Sequence, residues 1–162
     1  MCRRLLLPLL LLCLPGCDTA SPPADTASPP AKVEIEEAWF QLPIVEGRPG
    51  AAYFTLRASA DGVRLKRVKA GLARKVELHG PGMRRLEPAD LAFQDRRLSF
   101  APGGKHVMLL DMPADLIPCE SHELVLHFEG APMIVEPVLT RKIGDERCEE
   151  IYRGVTQGPN HR

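Results

Sequence analysis

Two histidines and two methionines, arranged in close pairs, are the residues of this chain best suited to chemistry. His79 and Met83 flank a Gly-Pro-Gly segment, and His106 and Met108 are separated by a single residue. Imidazole and thioether groups are neutral, soft ligands, which suit Cu(I) better than any hard cation. We therefore interpret these four side chains as a candidate Cu(I) site.

The spacing within each pair predicts how the side chains meet. Residues two apart on a strand point to the same face, so His106 and Met108 should share the outer face while Val107 and Leu109 enter the core. A three-residue hairpin loop should set His79 and Met83 opposite each other across a ladder. If the two segments are neighbouring strands, all four side chains can converge near one rim of the domain.

The N-terminus predicts export and a lipid anchor. Residues 1–16 place Arg3 and Arg4 before a short apolar run that ends in Leu14-Pro15-Gly16-Cys17. This is the pattern of a secretory signal, and the run is too short to span a bilayer as a helix. Its end resembles a bacterial lipobox, which implies cleavage before Cys17 and acylation of that residue. Asp18 favours retention at the periplasmic face of the inner membrane.

The next segment predicts a spacer. The heptad DTASPPA occurs twice in succession over residues 18–31. Four prolines in fourteen residues exclude a helix and leave no apolar face, so residues 17–31 are interpreted as the lipidated cysteine and a semi-rigid tether.

Residues 32–142 predict the folded domain. Short alternating apolar segments recur between Pro and Gly turns, which is typical of an all-β antiparallel sandwich or barrel. Lys+Arg and Asp+Glu number 21 each, so charge gives no reason to expect a nucleic-acid partner. No triad order, nucleotide loop or paired-carboxylate pattern stands out, and we predict no enzymatic activity.

Residues 143–162 form a polar tail that contains Cys148. With Cys2, Cys13 and Cys17 assigned to the N-terminal segment, Cys119 and Cys148 are the remaining cysteines of an exported body. A disulfide between them is the simplest interpretation. A second metal or redox site built on Cys119 and His122 is the alternative. His122 and His127 are five apart on a predicted strand and should face opposite sides.

Several segments resemble the periplasmic copper-chaperone family PCuAC, whose pattern is His-x10-Met-x21-His-x-Met. Residues 83–108 nearly reproduce the second half of that pattern as Met83-x22-His106-x-Met108. The similarity extends over about residues 32–140. The matching segments are AWFQLP, GAAYFTLRA, KVELH, MRRLEPADL and APGGKHVMLLDM.

The resemblance implies a cupredoxin-like antiparallel Greek-key sandwich or barrel that binds Cu(I) as a monomer. It also implies delivery to a copper-accepting protein, such as a cytochrome oxidase subunit or its assembly factor. One departure is clear, because only three residues separate His79 from Met83. If Met83 belongs to the loop, the ligand position falls on Leu86 and three ligands remain, with Met112 as a possible substitute.

Two alternatives stay open on the sequence alone. One is a metal-free sandwich that serves as an envelope interaction module, which the shortened hairpin favours and which should expose an apolar patch. The other is a copper redox enzyme, which two thioethers disfavour because they stabilise Cu(I).

Overall fold

Eight strands form where the sequence alternates apolar and polar residues. The computed structural model describes residues 30–144 and Cys148. The strands are β1 (Val33–Gln41), β2 (Gly50–Ala58), β3 (Arg64–Ala70), β4 (Lys75–His79), β5 (Arg97–Phe100), β6 (His106–Leu110), β7 (Ser121–Glu129) and β8 (Ile134–Arg141). Two 3-10 turns, Pro81–Met83 and Pro88–Leu91, lie between β4 and β5. The short alternating segments on which the all-β prediction rests therefore form strands.

The strands make two sheets joined along one seam. One sheet has the order β4-β6-β2-β1, with β5 also pairing with β2, and the other has the order β3-β7-β8. All pairings are antiparallel except that of β1 with β8, which pair through Phe40 with Thr140 and Gln41 with Arg141. The all-β Greek-key sandwich predicted from the sequence is confirmed.

The core is formed by the inward residues of both sheets. Phe54 and Phe100 pack with their ring centroids 4.7 Å apart. Val107 and Leu109 of β6 are fully buried beside them. Each buried side chain of this kind contributes on the order of 2 kcal/mol relative to exposure to water. The core therefore holds β2 and β6 in place, and with them the side chains that β6 carries on its outer face.

The predicted disulfide between Cys119 and Cys148 is present, with the Cα atoms 5.1 Å apart. Thr140, which is fully buried, accepts a backbone hydrogen bond from Cys119, and the bridge thereby attaches residue 148 to the end of β8. Because the thiol of Cys119 is consumed, the alternative site built on Cys119 and His122 is not supported.

The limits of the folded unit can be read from the core. Every core residue of the described chain lies between Ala31 and Cys148, as do all eight strands and the disulfide. A fragment from Pro30 to Arg162 therefore keeps everything that holds the sandwich together. The predicted signal segment, Cys17, nearly all of the tether and most of the tail lie outside the described residues. Within the described part of the chain, no helix is long and apolar enough to cross a membrane.

Candidate metal centre

The two predicted histidine ligands lie directly opposite each other. The pairing of β4 with β6 places His79 across from His106, with ring centroids 5.9 Å apart and planes inclined by 23°. An imidazole nitrogen bound to a metal at about 2 Å places its ring centroid about 3 Å from the ion, so two rings sharing one ion have centroids up to about 6 Å apart. The observed separation is compatible with one shared ion.

Met108 lies on the same outer face as the histidines. His106 and Met108 are half-buried, whereas the alternate residues Val107 and Leu109 are fully buried, as the two-residue period predicts. The residue opposite Met108 on β4 is Glu77. The outer surface of β4 and β6 therefore carries two imidazoles, one thioether and one carboxylate in two adjacent cross-strand pairs.

Both histidine rings are held by backbone carbonyl groups. His79 Nδ1 lies 3.0 Å from the carbonyl oxygen of Met83, and His106 Nδ1 lies 3.1 Å from that of Gly104. A carbonyl can only accept, so each Nδ1 donates its hydrogen. Nε2 of His106 is thereby left with the lone pair, whereas Nε2 of His79 is hydrogen-bonded to the carboxylate of Glu77. This is the arrangement that usually fixes the tautomer and orientation of a metal-binding histidine. In each ring Nε2 is therefore the atom that can bind a metal, in His79 by exchange for the hydrogen bond to Glu77.

The loop after β4 differs from the predicted three-residue hairpin. Arg85, not Met83, pairs with His79, and the backbone nitrogen of Gly80 donates to the carbonyl oxygen of Arg84 at 2.7 Å. The prediction that His79 and Met83 face each other across a ladder is therefore wrong. The physical reason is that Gly82 and Met83 both adopt left-handed φ values, 68° and 62°, which lengthens the turn to five residues.

Met83 nevertheless stays next to the site. Its left-handed backbone turns the carbonyl towards His79, while its side chain is 56% exposed. A non-glycine residue in this region is strained, and such strain is often retained at functional positions. Leu86 and Met112, the other two residues considered as ligands, do not belong to the site. Leu86 is buried in the core. The sulfur of Met112 is adjacent to Gly50. Met112 follows the C-terminal end of β6, and that end lies about 13 Å along the strand from His106.

An ion pair fastens the loop that contains Met83. Arg84 donates to both carboxylate oxygens of Asp90, at 2.9 and 3.1 Å, and the backbone nitrogen of Glu87 donates to the same carboxylate. Chiefly because of the hydrogen bonds from Arg84, the pKa of Asp90 falls from an ordinary value of 3.8 to about 2. The turn is therefore tied back upon itself next to the site.

The lowered pKa predicts a specific pH dependence. A carboxyl group whose pKa is depressed by folding stabilises the fold above its ordinary value, near 4, and this contribution disappears as the pH falls through about 2. We expect the variant Asp90→Asn not to show this loss of stability at low pH. The variant Asp61→Asn should still show it, because the Asp61 side chain is 91% exposed. Urea unfolding at pH 5 and pH 2.5 measures the difference. An Asp90 carboxyl resonance that titrates near 3.8 would contradict the ion pair.

Sequence reasoning missed Glu77. Its Oε2 lies 3.2 Å from Nε2 of His79, and its Oε1 lies 2.6 Å from Nζ of Lys75. The hydrogen bond from Lys75, followed by that from His79, lowers the pKa of Glu77. The signal was available, because Glu77 and His79 have the same two-residue spacing as His106 and Met108.

The other two histidines among the described residues do not join this centre. His122 and His127 lie on β7, in the opposite sheet, and their spacing places them on opposite faces as predicted. Over residues 30–144 and Cys148, no three His, Cys, Asp or Glu side chains already converge as a preformed metal site. Any metal centre between β4 and β6 therefore needs either a thioether ligand or a small side-chain movement.

The family comparison matches most of the domain. Residues 33–138 match the family model described as "Putative lipoprotein LpqE-like". No functionally curated protein sequence matches the chain significantly.

Several solved structures share the fold. The copper-bound PCuAC domain from PmoF2 is 25% identical with a TM-score of 0.55, and the alignment covers 71% of this chain and 97% of that domain. The apo form of the PmoF2 domain gives 27% identity and a TM-score of 0.57, with 70% of this chain and 93% of that one covered. The Cu(I) form of DR1885 from Deinococcus radiodurans gives 21% identity and a TM-score of 0.50, over 73% of this chain and 80% of that one, and shows the fold alone. The predicted cupredoxin-like PCuAC fold is confirmed.

Proposed function

Because the chain belongs to the family of putative LpqE-like lipoproteins and folds as PCuAC domains do, we propose that it is a Cu(I)-binding metallochaperone. The observation that supports this best is the pair formed by His79 and His106. The two rings face each other on neighbouring strands, and each is oriented through Nδ1 by a backbone carbonyl. The copper-bound form of the PmoF2 domain supports copper as the cargo.

The ligand set suits transport better than storage or catalysis. His79, His106 and Met108 supply two imidazoles and a thioether from rigid strands, and Met83 supplies a second thioether from the loop. None of the four is a thiolate, so an acceptor with thiolate ligands can remove the ion by ligand exchange. The site lies on the outer face of an edge strand, β4, where such an acceptor can approach.

The remaining parts of the chain fit an envelope carrier. The signal segment would direct export and be removed, and the acylated Cys17 with the tandem Pro-rich tether would hold the domain roughly 40 Å from the membrane. We propose the periplasmic face of the inner membrane as its place and a copper-accepting oxidase subunit or assembly factor as its partner. Tethering both partners to one membrane raises their effective concentration.

The direct test is a Cu(I) titration of the fragment 30–162 against a chromophoric Cu(I) competitor. The experiment is anaerobic and uses a reductant that leaves the disulfide intact. The proposal predicts one tightly held Cu(I) per chain. No retention against the competitor would reject the chaperone function.

The two methionines should differ in their contribution. Met108 is held on a strand, whereas Met83 must be ordered from an exposed position, and that entropy cost offsets part of its bond to the ion. We expect Met108→Leu to lower Cu(I) affinity by at least about tenfold, and Met83→Leu by less than that. The control is Met133→Leu, because Met133 is 54% exposed. If Met83→Leu lowered Cu(I) affinity as much as Met108→Leu, the expected entropy cost of ordering the Met83 side chain would be contradicted.

A second candidate is a metal-free interaction module. A groove of about 550 Å³ lies between β1 and β8, where the two strands separate beyond their short parallel pairing, and it is lined in part by Trp39 and Pro137. This groove is the surface on which such a module would bind an extended partner. The same Cu(I) titration separates the candidates, since a module of this kind retains no copper.

A further inference from the structure

The groove between β1 and β8 lies on strands that the candidate metal centre does not use. Its volume of about 550 Å³ is within the range of about 300–1,000 Å³ that is usual for binding pockets. The two strands pair in parallel only at Phe40 with Thr140 and at Gln41 with Arg141. The groove therefore begins at these pairs, which form its closed end, and runs towards the N-terminal ends of both strands.

The backbone of β8 explains why the two strands separate. Thr140 makes its backbone hydrogen bonds on the side of β7, whereas the carbonyl of Arg141 accepts a hydrogen bond from Leu42 on the side of β1. Because backbone groups alternate in direction along a strand, those of Val135 and Pro137 also face β1. Pro137 has no N–H group, so it cannot supply a ladder hydrogen bond to β1. The carbonyls of Val135 and Pro137 are therefore directed at the groove.

The walls of the groove carry opposite charges at different points along it. At the closed end, the guanidinium of Arg141 lies 5.5 Å from the centre of the Trp39 ring. Glu37 and Glu136 line the groove farther along. None of the ion pairs among the described residues includes either of these two carboxylates. A matching occupant therefore brings a negative group to the closed end, an apolar group next and a positive group after that.

The chain itself supplies a segment with this order of groups. Sγ of Cys148 lies 3.6 Å from the carbonyl oxygen of Thr140 and is bonded to Cys119, so the tail starts beside the closed end of the groove. Residues 149–162 read EEIYRGVTQGPNHR. Two glutamates come first, isoleucine and tyrosine follow, and Arg153 comes next. The disulfide therefore delivers a negative, then apolar, then positive segment to a groove that requires that order.

We propose that the chain's own tail, from Glu149 to Val155, occupies the groove between β1 and β8. The two glutamates of the tail lie near Arg141 at the closed end. In an extended chain Arg153 is about 10–13 Å beyond them, which brings its guanidinium to Glu37 and Glu136. The isoleucine and tyrosine between them then face the apolar part of the groove.

The open strand edges give the tail backbone a place to bind as well. N–H groups of the tail can donate to the carbonyls of Val135 and Pro137, as those of a peptide do when it adds to an unpaired strand edge. The groove is then a docking surface that the protein itself fills, and any other extended partner has to displace the tail. This inference does not depend on copper, so it stands or falls separately from the proposed function.

The test uses the fluorescence of Trp39, which lines the groove and is the only tryptophan of the chain. Quenching by acrylamide is compared between the fragment 30–162 and the fragment 30–148, which keeps the disulfide and lacks the tail. We expect quenching to be at least about twofold more efficient in the shorter fragment, because a tail that fills the groove more than half of the time excludes the quencher for that share. Circular dichroism checks that both fragments fold.

A charge exchange tests the contact between the tail and the groove. In the fragment 30–162, Arg153→Glu and Glu136→Lys should each increase quenching of Trp39, since each places like charges together. The double variant should restore the shielding, because the opposite charges face each other again. Arg162→Glu, the same change of charge at the end of the tail, is the matched control and should leave quenching unchanged. These variants keep the whole tail and so do not depend on the folding of the shorter fragment.

Three results would overturn the proposal. The first is equal quenching of Trp39 in the fragments 30–162 and 30–148. The second is shielding that disappears on dilution, which would place a second copy of the chain in the groove. The third is a double variant that is quenched as strongly as the single variants. The tether, residues 18–29, is absent from both fragments and cannot cause a difference between them.

Discussion

Replacing His106 by alanine is expected to lower Cu(I) affinity by at least about a hundredfold. Loss of a residue that merely orients a ligand costs about 10–100-fold in metal affinity, and loss of the ligand itself should cost more. His106 is held on β6 next to the fully buried Val107, and no other histidine of the described chain lies within reach to replace it except His79, which is already part of the site. The fold should be unaffected, because the side chain is on the outer face.

The matched control is His127→Ala. His127 is also a half-buried histidine on a strand, but it belongs to β7 in the other sheet. Competition titrations of the two variants and the unaltered fragment give the affinities, and thermal unfolding checks that both variants fold. Equal affinity in His106→Ala and the unaltered fragment would place copper elsewhere on the molecule.

Removing the disulfide is the change expected to cost the most stability. The bridge joins residues 29 apart in sequence, and closing a loop of that size constrains the unfolded chain by about 3–4 kcal/mol in the chain-entropy model. We expect the double variant Cys119→Ser, Cys148→Ser to lose a free energy of unfolding of that order. The bridge is attached to β8, which is separated from β6 by two strands, or about 14 Å. Cu(I) affinity should therefore change less than threefold.

Urea unfolding of the fragment 30–162 measures the loss, with Cys2, Cys13 and Cys17 absent from the fragment so that no other thiol interferes. The unaltered fragment under reducing conditions is the control, because it should unfold at the same urea concentration as the double variant. An unchanged midpoint in the variant would contradict a stabilising bridge. A large loss of Cu(I) affinity would contradict the separation of the bridge from the metal centre.

Much of the fold could be predicted because alternation is a local property of a strand. Val107 and Leu109 are apolar where their neighbours His106 and Met108 are not, and the structure buries the first pair and leaves the second outside. The parallel pairing of β1 with β8 could not be predicted in this way. It depends on which strand edges meet, and alternation within a strand says nothing about its neighbours.

The candidate site was predicted in part. The proximity of His79 and His106 required only that β4 and β6 pair in the observed register, which they do. The predicted position of Met83 is wrong because the Gly-Pro-Gly segment is only part of the hairpin loop. The left-handed conformation of a non-glycine residue, Met83, extends that loop, and no composition rule predicts it.

The backbone carbonyl groups that orient the histidines also could not be predicted from the sequence. Every residue has one, and only the folded turns show that those of Met83 and Gly104 receive the histidine hydrogens. Glu77 was within reach, since a two-residue period places it beside His79. The spacing alone does not single out Glu77, because carboxylates are common on strand surfaces and a Cu(I) site has no need of one.

The measurement that tests the account most directly is X-ray absorption at the copper edge of the fragment 30–162 loaded with one equivalent of Cu(I). A single ion between β4 and β6 predicts two ligand shells, nitrogen at about 2.0 Å and sulfur at about 2.3 Å. The nitrogen shell should show the outer scattering of imidazole and should shrink in His106→Ala. A spectrum without imidazole scattering, or one unchanged by His106→Ala, would contradict a copper centre built on these two strands.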